Sequence, residues 1–355
     1  MNIAILGYGL MGRLCALALA DVARLHIVSS EAEHEQSGAG WKAAAMLAPI
    51  AESVHTDSAL VDMGWDALSL WPRFLEKLDG KVFFQQVGTL VVAHQQDESL
   101  LQQFRQRIAL VELRRVKSLR RQELQSLEPE LAGRFQHGLF LEEEGHIDNH
   151  GLFHAIDRHL AKRNVAFSWS QSIGNKPREF VQEAYFNQKF DWVIDCRGIG
   201  AKAQWPNLRG VRGEVVRVHA PEVVLNRPVR LMHPRYPLYI VPKPGNQYVL
   251  GATQIESEDE GAIRVRSCLE LLSAAYSLHP GFGEARIIRA EAGLRPALID
   301  NNPRLRIESG FMAVNGLYRH GFMLGPVFAQ MISHMVKGDE LGGLAKYEQQ
   351  FVQAG

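Results

Sequence analysis

Glycines at positions 7, 9 and 12 are the first residues of this sequence whose spacing points to chemistry. Gly7, Gly9 and Gly12 form G-x-G-x-x-G directly after a short apolar run and directly before a helix-forming one. In a strand–turn–helix context, the first glycine permits the tight turn, the second lets the backbone approach a pyrophosphate, and the third lets helix and strand pack closely. Free N–H groups at the start of the helix then bind the phosphates. The spacing therefore predicts a dinucleotide site.

The elements around this turn are those that a dinucleotide site requires. Residues 2–6 and 25–30 have the apolar, β-branched character of buried parallel strands, and residues 10–20 between them favour a helix. An acidic residue is expected about 20 residues after the turn, at the end of the second strand, to bind a ribose. Ser29 or Ser30 stands there and Glu31 follows one or two positions later, so the ribose ligand is either a serine or Glu31. Nicotinamide and flavin dinucleotides both remain open at this point.

Composition and charge exclude several classes of protein. Hydrophobic residues make up 46% of the 355, and Lys plus Arg equals Asp plus Glu at 39 each, so no overall field attracts nucleic acid or an anionic membrane. Three cysteines lie far apart, which favours a reducing compartment over a disulfide framework. The first strand begins too early for a signal peptide, and no apolar run reaches the roughly 18 residues of a membrane span. We expect a cytoplasmic protein without a membrane span or a nucleic-acid partner.

Two other kinds of active site lack their motifs. His150 and His154 have the i,i+4 spacing of zinc ligands, but no motif supplies the further ligand and the glutamate base. The sequence also contains no G-x-S-x-G nucleophile elbow. We therefore predict no metal site and no serine nucleophile.

The rest of the chain alternates between parallel-sheet and antiparallel patterns. Helical patterns are expected over 43–79, 96–110, 117–132, 151–163, 264–279 and 326–338. Strand patterns are expected within 83–94, 138–149, 190–201 and 311–316, and 211–254 alternates as antiparallel hairpins do. These patterns predict an α/β fold in which a Rossmann-like dinucleotide domain interleaves with a discontinuous antiparallel-sheet domain of α+β type for the substrate. The expected ranges are 1–80, 146–210 and 290–355 for the first, and 81–145 and 211–289 for the second.

Several short motifs in a fixed order distinguish between the two dinucleotides. They are AAAMLAPIAE (43–52), LEPEL (127–131), EGHIDN (144–149), DCRGIGA (195–201), RGEV (212–215), YIVP (239–242), GAT (251–253), GLRP (293–296) and G-x-x-R-x-G (316–321). With these motifs, the chain resembles the FAD-dependent amine and amino-acid oxidases of the D-amino-acid oxidase superfamily. It is most similar to the glycine oxidases of thiamine biosynthesis. The resemblance extends nearly from end to end.

The resemblance implies a set of site residues. Arg295 matches the arginine that grips the substrate carboxylate, a task suited to a planar, permanently charged fork. Tyr239 matches the tyrosine that shares this carboxylate, and Arg319 matches an arginine of the last loop, near the substrate and the flavin edge. The further cofactor-binding residues that it implies are Lys42, Ala44, Ala45, Met46, Gly198, Gly316, Gly321, Phe322 and Met323.

Two details of the cofactor site depart from, or add to, this match. Lys42 stands where relatives carry Ser or Thr, so either its charge or the backbone alone would meet a phosphate. The N-terminus of a helix at residue 326 would stabilise negative charge on the reduced flavin. No cysteine lies in a motif for covalent flavin attachment, so the resemblance implies FAD that is bound noncovalently.

The implied reaction is oxidation of a small amine: glycine first, sarcosine or D-alanine next. A hydride passes from Cα to FAD, O₂ is reduced to H₂O₂, and the imine hydrolyses or enters thiazole synthesis. A homo-oligomer is compatible with the resemblance. One alternative is a dehydrogenase of the same superfamily that passes electrons to a quinone or partner protein. Others are a non-catalytic FAD-binding subunit and a nicotinamide dehydrogenase.

Overall fold

The computed structural model describes residues 1–109, 115–131, 133–234 and 238–354. Its strands are β1 (Asn2–Leu6), β2 (Arg24–Val28), β3 (Met46–Leu47), β4 (Phe84–Gln85), β5 (Thr89–Ala93), β6 (Val116–Arg120), β7 (His137–Leu141), β8 (Gly145–Ile147), β9 (Val165–Ser168), β10 (Trp192–Asp195), β11 (Arg209–His219), β12 (Val229–Met232), β13 (Leu238–Lys243), β14 (Gln247–Gly251), β15 (Arg286–Ala297), β16 (Arg304–Glu308), β17 (Phe311–Asn315) and β18 (Val352–Ala354). Its α-helices are α1 (Leu10–Leu19), α2 (Ala39–Lys42), α3 (Pro49–Glu52), α4 (Ser58–Glu76), α5 (Glu98–Ala109), α6 (Arg121–Leu127), α7 (Asn149–Ala161), α8 (Glu179–Gln182), α9 (Val265–Leu278), α10 (Gly321–Lys337) and α11 (Glu348–Phe351).

The first sheet carries the predicted dinucleotide unit. Its order is β18-β16-β17-β10-β1-β2-β9, and every neighbouring pair is parallel except β16 with β17. The chain leaves β1 through α1 and returns to β2 on one side, while β10 pairs on the other side. The strand order therefore reverses at β1, and α/β sheets bind ligands in the crevice outside the carboxyl ends of the strands at such a point.

A second sheet faces this crevice. Its order is β15-β11-β14-β13-β12-β5-β7-β6, and its pairs are antiparallel except β12 with β5. One of its faces packs on α9 in an apolar core. A third, small sheet has the order β3-β8-β4. This architecture confirms the predicted α/β fold class with a large antiparallel sheet.

The last long helix begins earlier than the sequence predicts. α10 starts at Gly321 rather than at residue 326, so Pro326 lies inside it. A proline there has no N–H to donate to the carbonyl of Phe322, four residues earlier. The Nε1–H of Trp71, on α4, donates to that carbonyl over 3.1 Å. The interior proline is tolerated because a neighbouring helix supplies the missing donor.

Two other helical predictions are wrong in part. Within 43–79 only α4 is a long helix. Pro49 disfavours helical backbone at Ala48, whose φ is −128° and ψ 64°, and Ala45 has a positive φ of 54°. Within 117–132 the chain first forms β6, which pairs antiparallel with β7 before α6 begins. Cross-strand pairing overrides the local helical preference there.

The sequence analysis also missed one long strand. β15 pairs with β11 from one end to the other, with a register shift between Arg217 and Val218. It therefore runs through residue 290, where a boundary between the two domains is expected. GLRP, the motif with the predicted carboxylate-binding arginine, lies in the C-terminal half of this strand.

Candidate active site

A cavity of about 610 Å³ lies between the carboxyl ends of β1, β2 and β10 and the face of the antiparallel sheet opposite α9. Most of the predicted site residues line it: Gly7, Gly9, Ser30, Glu31, Lys42, Ala44, Ala45, Met46, Gly198, Tyr239, Arg295, Arg319, Gly321, Phe322 and Met323. Gly12 and Gly316 do not line it. The structure thus brings together residues that are up to 316 positions apart in the sequence.

The three glycines of the first turn have different surroundings. Gly7 has a φ of +89°, and its N–H donates to the Val28 carbonyl over 2.8 Å. A Cβ at Gly12 would lie 2.0 Å from the Gly7 carbonyl oxygen, so α1 can approach β1 only with glycine there. A Cβ at Gly9, the N-cap of α1, would meet no protein atom within 4 Å. Open space therefore lies in front of the helix N-terminus, as a pyrophosphate requires.

The candidate ribose ligands lie together at the end of β2. Ser29 is buried, and its hydroxyl accepts the N–H of Glu31 over 3.2 Å, whereas Ser30 is exposed. The Oε1 atom of Glu31 accepts the backbone N–H of Ser37 over 3.2 Å and also its hydroxyl. All but Ser37 line the cavity. The choice between Glu31 and a serine stays a prediction.

The alanine-rich segment 42–46 lines one side of the cavity, and two lysine side chains anchor this segment to neighbouring strands. The Nζ of Lys42 donates to the Ala292 carbonyl over 2.7 Å, which links α2 to β15. The Nζ of Lys243 donates to the Ala44 carbonyl over 2.8 Å. Ala45, in the same segment, has a positive φ of 54°. Lys42 thus lines the cavity with its ammonium group already bonded to backbone.

The glycines near α10 shape the turn that precedes it. Gly316 has a φ of +78°, and a Cβ there would lie 2.8 Å from Leu298, so it serves the turn without lining the cavity. Asn315 donates to the carbonyl of Gly198 over 2.8 Å and so ties this turn to the end of β10. The helix N-terminus that borders the cavity is at Gly321, not at the predicted residue 326.

Arg295 enters the cavity from β15. Its Nη1 donates to the Thr253 carbonyl over 3.1 Å. Its guanidinium lies against Gly213, where a Cβ would be 2.3 Å from Cζ. Burial lowers the pKa of Arg295. Within the described residues, no carboxylate lies at salt-bridge distance from it. The group therefore has an unmatched positive charge and a free edge of N–H donors.

Arg319 and Tyr239 meet at a carboxylate that the sequence analysis did not single out. Glu52, the last residue of AAAMLAPIAE, pairs its Oε2 with Nη2 of Arg319 at 2.6 Å. The hydroxyl of Tyr239 donates to Oε1 of Glu52 over 3.3 Å. His320 Nδ1 lies 3.7 Å from Oε2. An acidic residue directly after a run of small apolar ones is the signal that could have identified it.

Electrostatics fix the charge states of this group. Burial alone would raise the pKa of Glu52, but Arg319, with His320 and Arg230, lowers it to about 2. Burial lowers the pKa of His320 to about 4. Burial also raises the pKa of Tyr239 to about 12. Near pH 7, Glu52 is therefore ionised, while His320 and Tyr239 are neutral.

The described residues show no other catalytic cluster of the kinds considered from the sequence. His150 stacks on Trp41 with ring centroids 3.6 Å apart. Among the residues that the structure describes, no three His, Cys, Asp or Glu side chains converge as a metal site. Within residues 1–109, 115–131, 133–234 and 238–354, no helix is both long and apolar enough to cross a bilayer.

Comparisons with known proteins identify the family of this chain. The family model described as "DAO: FAD dependent oxidoreductase" matches residues 2–335. A Rhizobium etli protein named "putative thiamine biosynthesis oxidoreductase ThiO" is 39% identical over 93% of this chain and 94% of its own. A glycine oxidase of Geobacillus kaustophilus is 25% identical over 96% of this chain and 93% of its own. In fold, iminodiacetate oxidase of Chelativorans sp. BNC1 superimposes with a TM-score of 0.80 at 20% identity over 99% of both chains. This chain therefore belongs to the DAO family of FAD-dependent oxidoreductases and is an enzyme similar to the glycine oxidases.

Proposed function

We propose that the protein oxidises the CH–NH₂ group of a small amino acid, with glycine as the first candidate and sarcosine or D-alanine next. O₂ is the electron acceptor, H₂O₂ is the second product, and the imine serves thiazole formation in thiamine biosynthesis. The observation that carries the proposal is Arg295, whose half-buried guanidinium has no carboxylate partner among the described residues and lines the same cavity as the glycine turn. The relatives' names support the same activity.

The cavity fits FAD. The open space before Gly9 and the N-terminus of α1 suit the pyrophosphate, and the end of β2 with Glu31 suits a ribose. The alanine run and the N-terminus of α10 would border the flavin. FAD, when bound, supplies the acceptor for the substrate hydride. Cys196 lines the cavity but faces Cys15, with the two Sγ atoms 3.9 Å apart, in line with noncovalent binding.

The protein's own contribution is to fix the substrate. Arg295 presents two N–H donors to the substrate carboxylate, and the hydroxyl of Tyr239, on β13, rotates its single O–H from Glu52 to the same carboxylate when substrate binds. Glu52 and Arg319 form the polar wall beside this position. Neither Tyr239 nor His320 has a pKa near 7, so no general base is assigned to them. Positioning and fixed charges therefore supply the protein's part of the rate.

Several broader features belong to this proposal. The site residues named from the sequence that line the cavity act in the roles given there, the chain divides into the two interleaved domains with the stated ranges, and the protein works in the cytoplasm. A homo-oligomer is also proposed. The main alternative is a dehydrogenase that passes electrons to a quinone or partner protein. A non-catalytic FAD-binding subunit is the second alternative.

The visible spectrum of the purified protein tests the function directly. Anaerobic addition of glycine should bleach an oxidised-flavin spectrum, and admission of air should restore it with release of H₂O₂. Bleaching that air restores only slowly would favour the dehydrogenase. A flavin spectrum that glycine, sarcosine and D-alanine all leave unchanged would contradict the proposed substrates and favour the non-catalytic subunit.

A further inference from the structure

Arg295 and Arg319 both line the cavity near the proposed substrate position, but in the part of the chain that the structure describes, a carboxylate neutralises only one of them. Arg319 is paired with Glu52 at 2.6 Å, whereas Arg295 has only the Thr253 carbonyl as a hydrogen-bond partner among the described residues. His320 adds no charge near pH 7, because burial lowers its pKa to about 4. Of these two arginines, Arg319 therefore has a carboxylate partner in the protein, and Arg295 is available to a substrate carboxylate.

The other charged side chains that line the cavity also have hydrogen-bond or ion-pair partners in the protein. Arg197 pairs with Asp195 at 2.7 Å. Lys42 donates to the Ala292 carbonyl and Glu31 accepts from Ser37.

We infer that Glu52 is a specificity determinant: by neutralising Arg319, it restricts the site to amines with a single carboxylate. This inference rests on the proposed function and specifies its substrate class. A second carboxylate, as in iminodiacetate, would have to displace Glu52 from Arg319 or lie unpaired beside it. A buried unpaired charge and like-charge repulsion are both strongly unfavourable, and sites commonly use such repulsion to reject the wrong ligand.

The surrounding structure keeps Glu52 at this position. The N–H of Ala51, the preceding residue, donates to Oε1 of Glu144 over 2.7 Å. The carbonyl of Ala51 accepts from Nη1 of Arg230 over 2.9 Å. The guanidinium of Arg230 is itself held 4.6 Å from the Phe104 ring. Both backbone polar groups of Ala51 are thus bound to buried side chains, which fixes the backbone next to Glu52.

Binding of two redox-inert acids to the FAD-loaded protein tests the inference. Methoxyacetate resembles sarcosine, and diglycolate resembles iminodiacetate, with an ether oxygen in place of the amine. Each is titrated against the flavin spectrum, and the quantity of interest is the Kd of methoxyacetate divided by that of diglycolate. In Glu52→Gln this ratio should rise by about 10- to 100-fold over the wild type, because Arg319 becomes free to bind the second carboxylate.

The matched variant Glu52→Asp keeps the negative charge and should leave the ratio within about threefold of the wild type. If Glu52→Gln retains no FAD, Arg319→Gln is used instead. It leaves Glu52 unpaired and should lower the ratio, since repulsion of the second carboxylate grows. An unchanged ratio in the charge-altering variant would overturn the inference. A protein that binds both acids but oxidises no small amine would contradict the proposed function alone, because these affinities need no turnover.

Discussion

The guanidinium group of Arg295 occupies the space that a side chain at Gly213 would fill. Gly213 on β11 pairs with Gly293 on β15, and a Cβ at Gly213 would lie 2.3 Å from Cζ of Arg295. A Cβ at Gly293 would lie 3.0 Å from Cδ of Lys42. The glycine pair therefore provides room for two cationic side chains on the cavity face of the sheet.

Gly213→Ala should displace Arg295 without unfolding the sheet. The new methyl group collides with a side chain, which can move, rather than with backbone. We expect kcat/KM for glycine to fall at least about tenfold, mainly through KM, because the carboxylate loses its fork-shaped partner. Steady-state kinetics and the flavin content of the purified variant measure this. Wild-type kinetics in Gly213→Ala would show that the Arg295 guanidinium beside Gly213 does not bind the substrate carboxylate.

Arg295→Ala removes the fork itself. Glycine turnover should fall by about three orders of magnitude or more, since both binding and orientation of the substrate depend on it, while FAD remains bound. Arg295→Lys, which keeps the charge but not the bidentate geometry, should recover only part of the loss. Rapid-mixing measurements of flavin reduction make the comparison. Near-normal reduction rates in Arg295→Ala would refute the assignment of this residue.

The comparison of Arg295 with Glu52 shows what sequence could and could not predict. Arg295 lies in a short motif, so the resemblance could predict a role for it. The βαβ unit around Gly7 could be predicted from hydrophobic periodicity and glycine spacing. Glu52 stood at the end of an alanine-rich segment and had no pattern of its own. Its meaning depends on Arg319, 267 positions later, and such a contact exists only after folding. Likewise, Pro326 predicts a helix start from sequence alone. Only the structure shows that Trp71 donates to the carbonyl that this proline leaves without its helical N–H donor.

Gly9→Ala and Gly12→Ala should separate cofactor binding from stability. Gly9 has φ −74° and ψ −158°, which alanine tolerates, and its Cβ would meet no protein atom. The apoprotein Tm should therefore stay within about 2 °C of the wild type, while FAD affinity falls at least about tenfold, because the methyl group stands where the pyrophosphate approaches.

Gly12→Ala is the matched contrast. Its Cβ would lie 2.0 Å from the Gly7 carbonyl oxygen, so strand and helix must separate. The free energy of unfolding of the apoprotein should fall by about 2–4 kcal/mol, as for other overpacked sites. Thermal unfolding and FAD titration are measured on both variants. Gly9→Ala with wild-type affinity for FAD would contradict the placement of the pyrophosphate at this turn.

Glu144 should make stability depend on pH. Burial raises the pKa of its carboxyl group to about 7, against the lowering effect of Thr89 and the Ala51 N–H. The folded protein thus keeps a proton that the unfolded chain releases near pH 4.5. The stabilisation from this group is fully present below pH 4.5 and is lost as pH rises through about 7. Ionised Glu144 also lies close enough to repel Glu52.

Glu144→Gln should remove this dependence, because glutamine can still accept the Ala51 N–H through its Oε1 but carries no charge. At pH 8 the variant should be more stable than the wild type by about 3 kcal/mol, and below pH 4.5 the two should be equal. Urea unfolding between pH 4.5 and 8.5 measures the difference. The control, Glu143→Gln, alters the exposed neighbouring carboxylate and should follow the wild-type curve. If Glu144→Gln gains nothing between pH 5 and 8, the carboxyl group releases its proton at the same pH in the folded and unfolded states, and its pKa is not raised.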